Sequence, residues 1–402
     1  MTATQPEAGC WDLVIVGAGP AGAAAALGAR CADASLRVLL LDRADFPRDK
    51  CCGDGIAPHV FDALAGVGVH HAADGWTPLR RLELARGPSS VARPMARPVY
   101  VIPRKVFDAR LVQAATAAGA VLARRRVSGL TRHGDEVVLD DEVRARVVVG
   151  ADGAHSTVRS WLSGPAAGRR ALAIRGYAPT APERGGSQVI RYGKRRQPSY
   201  AWAFDRGDGL SNVGYGELLP GSADVDRAPS RALLLDQLES LIPGAGAGGT
   251  HWRGHHLPLS GLRWHQPDGP VLLAGDAAGL INPMTGEGIY YAVATGILAG
   301  RAAAHALAAG DAARAGGLHR RTVRGLLARH LRHTWVASRL SELPAVVDAG
   351  IRAAGRDERM FDDLVEIGLG DGRITPRLAG GLARAIVAPG RTPDAARMTR
   401  RS

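Results

Sequence analysis

Three glycine-rich segments lie far apart in the chain, and the first has the residues of a phosphate-binding turn. It begins at Gly17 and reads Gly-Ala-Gly-Pro-Ala-Gly, directly after a run of apolar residues. Gly17 permits a tight turn, Gly19 lets the backbone approach a pyrophosphate, and Gly22 lets the following helix pack on the sheet. Pro20 and Ala21 open that helix, whose free N–H groups and positive dipole end favour phosphate oxygens. The segment predicts a dinucleotide site.

An acidic residue suited to such a site stands at Asp42, twenty residues after Gly22 and at the end of a second apolar run. A carboxylate at this position accepts both ribose hydroxyls and disfavours a 2′-phosphate. The nucleotide is therefore FAD or NAD rather than NADP. Arg43 follows the acid directly and is predicted to contact the same cofactor.

The other two glycine-rich segments are the ones that separate FAD from NAD. Asp152, in the Gly-Ala-Asp-Gly of residues 150–153, is expected to organise its turn through backbone hydrogen bonds and to lie on the pyrophosphate side. Gly275 and Asp276 follow an apolar run that predicts a buried strand. A carboxylate at the end of that strand can reach a ribityl or ribose hydroxyl.

A loop after the third segment contains Pro283, Gly286, Glu287 and Gly288 and precedes a long apolar helix. N–H groups at the start of that helix could donate to N1 and O2 of an isoalloxazine ring. An NAD dehydrogenase has no use for such a loop, so the predicted cofactor is FAD. Arg104 opens another predicted helix, where it either contacts the phosphate or ribityl part of the flavin or is solvated.

Three aromatic residues, Tyr200, Trp202 and Phe204, alternate along one predicted strand. Alternate side chains of a strand point to the same face, so the three form a single aromatic surface. Such a surface suits an elongated apolar substrate above a flavin ring. Ordinary packing of a sheet is the alternative.

The elements that must position these residues define the fold class. A βαβ unit opens the chain, strand patterns dominate residues 171–216, and an Arg- and Ala-rich helical pattern follows residue 300. The patterns also predict helices over residues 55–64 and 231–241, a strand over residues 99–102 and a hairpin around residues 132–135. The predicted fold is α/β, with a discontinuous Rossmann-type FAD-binding domain, an inserted antiparallel β-sheet substrate domain and a helical C-terminus. The predicted limits are 1–75, 100–165 and 255–300 for the FAD-binding domain, 76–99 and 166–254 for the substrate domain, 301–390 for the helical region, and 391–402 for a disordered tail.

Composition limits the classes of function. The 402 residues carry a net charge of +13 and four cysteines. The chain has no nucleic-acid recognition motif, so nucleic acid is not a predicted partner. An anionic membrane surface, a phosphorylated substrate or a plain solvated surface would each accommodate the charge. We expect a cytoplasmic protein, because the sequence shows no signal peptide, no apolar run long enough to span a bilayer and no disulfide framework.

Five segments together resemble the geranylgeranyl reductase family, within the larger group of flavoproteins related to aromatic hydroxylases. Besides the three glycine-rich segments, Lys-Cys-Cys-Gly-Asp-Gly from Lys50 resembles the family's Lys-x-Cys-Gly segment beside the flavin. The strand that carries the aromatic residues resembles its Tyr-x-Trp-x-Phe-Pro signature. Asp205 departs from that signature, which has Pro. The resemblance spans about residues 10 to 300 and implies flavin contacts from Lys50, Cys52 and Gly53.

The resemblance implies an FAD-dependent reduction of carbon–carbon double bonds in a prenyl substrate, by hydride transfer from flavin N5. Tyr200, Trp202 and Phe204 would line the substrate pocket, and Cys52, Tyr200 and Trp202 would act in catalysis. A proton must reach the second alkene carbon, and ordered water, Tyr200 and Cys52 are its candidate donors. A small buried apolar role is the alternative for Cys52.

A flavin monooxygenase is the rival function. The same fold could form a flavin hydroperoxide and hydroxylate or epoxidise a small metabolite or terpenoid. Because the sequence has no second nucleotide fingerprint, electrons would come from transiently bound NAD(P)H, a ferredoxin or a separate reductase. A prenyl lipid substrate implies peripheral contact with the cytoplasmic face of a membrane. No metal site is predicted, because His251, His255, His256 and His265 lack Cys or carboxylate support.

Overall fold

The computed structural model describes residues 9–164, 168–219 and 228–387. The predicted disordered tail, 391–402, lies outside these ranges. The fold is α/β, with an FAD-binding-type sheet, a second and largely antiparallel sheet, and a helical C-terminal region. The residue limits predicted for the three regions remain a prediction.

The first sheet has the parallel core of a nucleotide-binding fold. In spatial order it contains β6 (Val121–Arg124), β2 (Val38–Asp42), β1 (Cys10–Val16), β9 (Val143–Gly150), β8 (Glu136–Leu139) and β7 (Leu130–His133), with β15 (Val271–Leu273) also paired to β9. β1 runs parallel to β2 and β9, and β15 runs parallel to β9. β7 and β8 form the hairpin predicted around residues 132–135. The carboxyl ends of β1, β9 and β15 thus bring all three glycine-rich segments to one edge.

The second sheet carries the aromatic strand. In spatial order it contains β14 (Thr250–Pro258), β10 (Arg170–Pro179), β13 (Leu210–Leu218), β12 (Ser199–Asp205), β11 (Ser187–Tyr192), β4 (Leu79–Arg86), β5 (Ser89–Val101) and β3 (Gly55–Ile56). Its pairs are antiparallel except for β11 with β4. The short strand β3 places the segment after Lys50 against this sheet rather than the first.

Helices cover both sheets and form the C-terminal region. They are α1 (Pro20–Ala32), α2 (Pro58–Ala65), α3 (Arg104–Ala117), α4 (Thr157–Ser163), α5 (Arg231–Leu241), α6 (Ile289–Ala308), α7 (Ala315–Leu340), α8 (Pro344–Arg356), α9 (Glu358–Leu369) and α10 (Pro376–Val387). Within the ranges that the structure describes, none of them has both the length and the hydropathy of a bilayer-spanning segment.

Alternate residues of β1 face two different cores. Leu13 and Ile15 pack with α1 and α6, whereas Val14 and Val16 pack on the side of the β7–β8 hairpin. Burial on both faces is what a central parallel strand requires, and it explains the continuous apolar run that precedes Gly17.

The structure corrects two sequence expectations. A helix was expected over residues 55–64, but Gly55–Ile56 pairs as β3 and α2 begins only at Pro58. Proline fits the first turn of a helix, where its missing N–H has no partner to lose. A strand was expected over residues 99–102, but β5 begins ten residues earlier, at Ser89. Its apolar and polar residues alternate too irregularly for the pattern to be read from sequence.

Candidate active site

A cavity of about 1130 Å³ is lined by residues of both sheets and of the C-terminal helices. All of the predicted site residues line this cavity except Gly22 and Gly275. These two lie behind it: a Cβ on Gly22 would lie 1.7 Å from the carbonyl oxygen of Gly17, and one on Gly275 would lie 3.1 Å from the Cβ of Ala21. They allow the close packing behind the cavity.

The first glycine-rich turn and Asp42 form one end of the cavity. Gly17 has a φ of +97°, a conformation that side chains other than glycine rarely adopt. The Asp42 carboxylate accepts from the N–H of Ala18 at 2.9 Å and from the N–H of Ala44 at 3.0 Å. These bonds hold the carboxylate at the end of β2. Arg43, in contrast, is exposed at the cavity rim.

Arg104 is not solvated, because only 4% of it is exposed. Its Nε and one terminal nitrogen donate to the two carboxylate oxygens of Asp108 at 2.6 and 2.8 Å. Burial alone would lower the pKa of the guanidinium, but Asp108 raises it above its ordinary value. The solvated alternative for Arg104 is therefore wrong, and a permanent positive charge faces the cavity.

Two carboxylates organise the second and third glycine-rich segments. Asp152 accepts from the hydroxyl of Ser156 at 2.5 Å and from the N–H of Thr157 at 2.7 Å, so it organises the turn before α4 as expected. Asp276 pairs with Nζ of Lys50 at 3.0 Å. Burial would raise the pKa of Asp276, but Lys50 lowers it below the ordinary value.

The loop before α6 is tied to the C-terminal region. The side-chain amide of Asn282 donates to the carbonyl of Ile367 at 2.9 Å, and the hydroxyl of Thr285 donates to the carbonyl of Gly368 at 2.7 Å. Glu287 accepts from the N–H of Tyr290 at 2.9 Å, and burial raises its pKa to about 7. The loop is thus held at Asn282 and Thr285 by the C-terminal region and at Glu287 by the first turn of α6.

The aromatic residues of β12 form a continuous surface in the cavity. The ring centroids of Tyr200 and Trp202 lie 6.0 Å apart, and those of Trp202 and Phe204 lie 6.4 Å apart. The hydroxyl of Tyr200 donates to the carbonyl of Thr285 in the loop before α6. Gly214 lies behind Trp202, where a Cβ would come within 2.3 Å of the indole ring. The surface therefore adjoins the predicted flavin loop directly.

Comparison with known proteins identifies the family. The sequence profile of the FAD binding domain family matches residues 11–196. Digeranylgeranylglycerophospholipid reductase 1 of Methanopyrus kandleri is 34% identical over 340 residues, which cover 75% of this chain and 82% of that protein. The chain belongs to the geranylgeranyl reductase family of FAD-dependent oxidoreductases.

Further similarities agree with this assignment. Menaquinone reductase of Mycolicibacterium smegmatis is 32% identical to this flavoprotein over 327 residues, which cover 72% of this chain and 75% of that protein. The crystal structure of a geranylgeranyl bacteriochlorophyll reductase-like protein from Thermoplasma acidophilum superposes with a TM-score of 0.75 at 21% identity. The superposition covers 96% of this chain and 98% of that one, so the two share their fold throughout.

The flavoprotein has suitable donors for the pyrophosphate of FAD beside Gly19. A Cβ on Gly19 would lie 3.4 Å from a guanidinium nitrogen of Arg48 and 4.0 Å from one of Arg104. The space beside Gly19 is therefore bordered by two cations and by the N-terminus of α1, which suits a pyrophosphate. At the other end, the N–H of Tyr290 in the first turn of α6 is bonded to Glu287, so the loop from Pro283 to Gly288 is the part of this end that borders the cavity.

Cys52 lines the cavity beside the aromatic surface. A Cβ on the next residue, Gly53, would lie 3.8 Å from the indole nitrogen of Trp202 and 3.6 Å from the ring of Phe204. Burial raises the pKa of the Cys52 thiol, against an opposing effect of Arg104. The thiol is therefore neutral at physiological pH.

The C-terminal helices extend the cavity into an apolar tunnel, which sequence reasoning did not predict. The apolar tunnel is lined by α8, α9 and α10 through Val347, Ile351, Leu364, Val365, Leu378, Leu382 and Ile386. Apolar residues at helical spacing in 344–387 were the available signal. That signal does not say what the apolar faces cover, so it could not place them at the site.

Three buried polar residues at the site were also missed: Asp54, Arg175 and Asn212. Arg175 donates to the carbonyls of Lys50 and Cys52 at 2.8 and 3.1 Å. Asp54 and Asn212 are hydrogen-bonded to each other at 2.8 Å. Asp54 directly follows the Lys-x-Cys-Gly segment, which was the available signal. The other two come from neighbouring strands whose pairing the sequence does not give.

Asp205, the departure from the family signature, has a role at the end of β12. Its carboxylate accepts from the N–H groups of Gly186 and Gly207 at 2.7 and 2.9 Å and from the hydroxyl of Thr180 at 3.2 Å. It therefore stabilises the turn after the aromatic strand and links it to Thr180, the residue that follows β10. The substitution changes the turn chemistry without placing a charge on the aromatic surface.

Among the residues that the structure describes, His59, Glu366 and Asp371 could hold a metal ion, with ligand atoms within 4.8 Å of one another. Nε2 of His59 and a carboxylate oxygen of Glu366 already form an ion pair at 3.0 Å. The pair raises the pKa of His59. This contact joins α2 to α9.

Proposed function

We propose that this enzyme reduces carbon–carbon double bonds of an isoprenoid chain, with reduced FAD as the hydride donor. The main support for this proposal is that the aromatic surface, the predicted flavin loops and the apolar tunnel line the same cavity. A long flexible hydrocarbon needs an apolar channel that passes the reactive ring. The names of the relatives, a phospholipid prenyl-chain reductase and a menaquinone reductase, support this substrate class.

The residues that would hold FAD fall into two groups. The turn from Gly17 to Ala21, Asp42 and Arg104 would bind the pyrophosphate and ribose, and the loop from Pro283 to Gly288 would bind the ring. Arg43, Lys50, Cys52, Gly53, Asp152 and Asp276 complete the proposed contacts. When bound and reduced, FAD supplies a hydride from N5 to one alkene carbon.

The protein orients the alkene and limits access of water. Tyr200, Trp202 and Phe204 provide a continuous aromatic surface against which the chain would lie, and the helices of the apolar tunnel line the same cavity. Fixing the alkene beside the flavin supplies the favourable orientation on which hydride transfer depends. The protein's contribution is therefore placement, while the cofactor supplies the redox chemistry.

The proton for the second alkene carbon is proposed to come from water. Burial raises the pKa values of the Cys52 thiol and the Tyr200 hydroxyl, so neither anion forms readily in the cavity. The Tyr200 proton is also already donated to the carbonyl of Thr285. Both side chains are therefore proposed to position the substrate.

A peripheral membrane contact at the cytoplasmic face is proposed at the mouth of the apolar tunnel. Leu340 and Ile386 line the cavity and are also 39% and 46% exposed, so the apolar tunnel reaches the surface there. Leu343 and Val387, close to them in sequence, are 57% and 84% exposed. With a net charge of +13, the protein would be attracted to an anionic bilayer from which a lipid chain could enter.

The electron donor is proposed to be an external partner. The sequence has a single nucleotide fingerprint, which FAD would occupy. NAD(P)H bound transiently, a ferredoxin and a separate reductase each satisfy this requirement, and stopped-flow reduction with each would identify the donor.

Product analysis tests the proposed reaction. Enzyme, dithionite and a digeranylgeranyl glycerophospholipid or a menaquinone are incubated without oxygen, and the lipid is analysed by mass spectrometry. We expect a gain of two hydrogens for each double bond reduced. The Cys52→Ala and Tyr200→Phe variants should keep at least about a tenth of the wild-type rate, because water supplies the proton. Unchanged mass for both lipids in every preparation would overturn the proposal.

A further inference from the structure

The segment after Lys50, which we call the Cys52 loop (residues 49–54), is held mainly by the second sheet. Arg175 of β10 is fully buried and donates to the carbonyls of Lys50 and Cys52 and to the carboxylate of Asp49, the last at 2.9 Å. The position of the Cys52 loop therefore depends on the sheet that also carries the aromatic surface.

Asn212 of β13 connects the Cys52 loop to the aromatic surface. Its side-chain nitrogen donates to the carbonyl of Cys52 and to a carboxylate oxygen of Asp54, each at 2.8 Å. Its side-chain oxygen accepts from the indole N–H of Trp202, also at 2.8 Å. One fully buried amide thus contacts the Cys52 loop with its donor and the aromatic surface with its acceptor.

An amide is the side chain that meets both demands. The indole N–H needs an acceptor, and the Cys52 carbonyl and the Asp54 carboxylate need donors. A buried polar group without a hydrogen-bond partner destabilises the folded protein. These three groups therefore restrict the side chain at position 212 to one that has both a donor and an acceptor. Leucine has a similar shape but supplies neither bond. Aspartate would keep the bond to Trp202 and place a second carboxylate against Asp54.

The backbone conformation and the hydrogen bonds of Asp54 hold the C-terminal end of the Cys52 loop in place. Asp54 has a φ of +58°, which is uncommon for a residue other than glycine. Its carboxylate also accepts from the hydroxyl of Tyr177 at 2.5 Å, and its carbonyl accepts from the N–H of Ile102 at 2.9 Å. The Cys52 loop is therefore rigid at Asp54, and Asn212 transmits its position to Trp202.

We propose that Asn212 is a positioning residue, which sets the distance between the indole of Trp202 and the Cys52 loop and thereby the placement of the alkene beside the flavin. The placement of the alkene rests on the proposed function. The distance between Trp202 and the Cys52 loop is a property of the protein alone. One experiment therefore tests each of these two statements.

The first experiment needs no substrate. Cys52 of the FAD-loaded enzyme is alkylated with N-ethylmaleimide, and its modification is followed by peptide mass spectrometry, which separates it from Cys51 by fragmentation. We expect Asn212→Leu to raise the alkylation rate by about tenfold or more, because the Cys52 carbonyl and Asp54 lose their shared donor.

The matched control is Ser211→Ala on the same strand. The hydroxyl of Ser211 is buried and hydrogen-bonded to that of Thr180 at 2.8 Å, away from the Cys52 loop. We expect its alkylation rate to stay within about twofold of wild type. Equal rates for Asn212→Leu and wild type would overturn the proposal, whatever the substrate of the enzyme.

The second experiment measures placement through a double-mutant cycle. Reduced enzyme is mixed anaerobically with saturating prenyl lipid, and reoxidation of the flavin is followed in wild type, Asn212→Leu, Trp202→Phe and the double variant. Each single variant should slow reoxidation by about tenfold, and the double variant should be little slower than Asn212→Leu, because both changes break one link. Reoxidation by ferricyanide should remain within about twofold in all four, because it needs no alkene placement.

If the double variant slows flavin reoxidation by the product of the two single effects, Asn212 does not act through Trp202, and its role in placing the alkene is overturned. If wild-type flavin is not reoxidised by any prenyl lipid, the proposed function fails, and the alkylation experiment still decides whether Asn212 holds the Cys52 loop.

Discussion

Asp54 shows how much the site depends on a single buried side chain. Its carboxylate accepts from Tyr177 and Asn212, and burial nevertheless raises its pKa from 3.8 to about 6. A raised pKa in the folded state means that the folded protein binds this proton more tightly than the unfolded chain. Ionised Asp54 therefore lowers stability at neutral pH, and this effect disappears as the pH falls from 6 towards 4.

The Asp54→Asn variant tests this effect. Asparagine keeps an acceptor for Tyr177, tolerates the left-handed backbone and stays neutral at every pH. Relative to wild type, its free energy of unfolding should increase by about 2–3 kcal/mol between pH 4 and pH 7, as expected for a shift of about two pKa units. Urea denaturation at both pH values measures the change. If the difference in free energy of unfolding between Asp54→Asn and wild type is the same at pH 4 and pH 7, the raised pKa of Asp54 is contradicted.

At the scale of elements, two helices join the nucleotide end of the site to the flavin end. α1 begins at the first glycine-rich turn, and α6 begins at the loop that is proposed to hold the flavin ring. Their backbones approach so closely that a Cβ on Gly296 would lie 2.2 Å from the carbonyl of Ala21, and one on Gly300 would lie 2.0 Å from that of Ala25. The small residues of both helices therefore set the distance between the two ends of the cofactor site.

Gly300→Ala tests this contact. The added methyl group should force α1 and α6 apart, lower the free energy of unfolding by about 1–3 kcal/mol, and weaken FAD binding. Gly325→Ala on α7 is the matched control, because a Cβ there meets nothing within 4 Å. In a helix interior this change should stabilise the protein by about 0.5–1 kcal/mol and leave FAD binding unaltered. Calorimetry and FAD titration report both quantities, and equal behaviour of the two variants would refute the packing argument.

The sequence predicted elements whose patterns are local. The turn at Gly17, the β7–β8 hairpin and α5 follow from glycine placement and periodicity. Asn212 was not predictable in this way. In the sheet, Phe204 lies opposite Asn212 and Trp202 lies opposite Gly214, so the amide reaches the indole diagonally across two strands. Such a contact depends on register, which a single sequence does not contain.

At the scale of the molecule, the C-terminal helices convert a common flavin fold into one suited to a long chain. They line the apolar tunnel, hold the flavin loop through Asn282 and Thr285, and expose apolar residues where the tunnel opens. The helical pattern after residue 300 was predicted from sequence, but its contact with the site required the tertiary fold.

The proposed membrane contact has a direct test. In Leu343→Ser/Ile386→Ser, the mouth of the apolar tunnel loses much of its exposed apolar surface while the net charge is unchanged. We expect binding to anionic vesicles to weaken by about tenfold or more in a flotation assay, because two inserted side chains are lost. Leu326→Ser on α7 is an exposed apolar control that does not line the cavity. Equal losses for both variants would contradict a contact at this mouth.

The proposed reaction requires that reduced flavin passes its electrons to a prenyl alkene. The most direct measurement is anaerobic: the flavin is reduced with a stoichiometric amount of dithionite, lipid is added, and the oxidised-flavin absorbance is followed. Return of that absorbance without oxygen, with a matching gain of two hydrogens in the lipid and no response to a saturated analogue, is the predicted result. A flavin that stays reduced until air is admitted, followed by an oxygenated product, would contradict prenyl reduction and assign the protein to the monooxygenases.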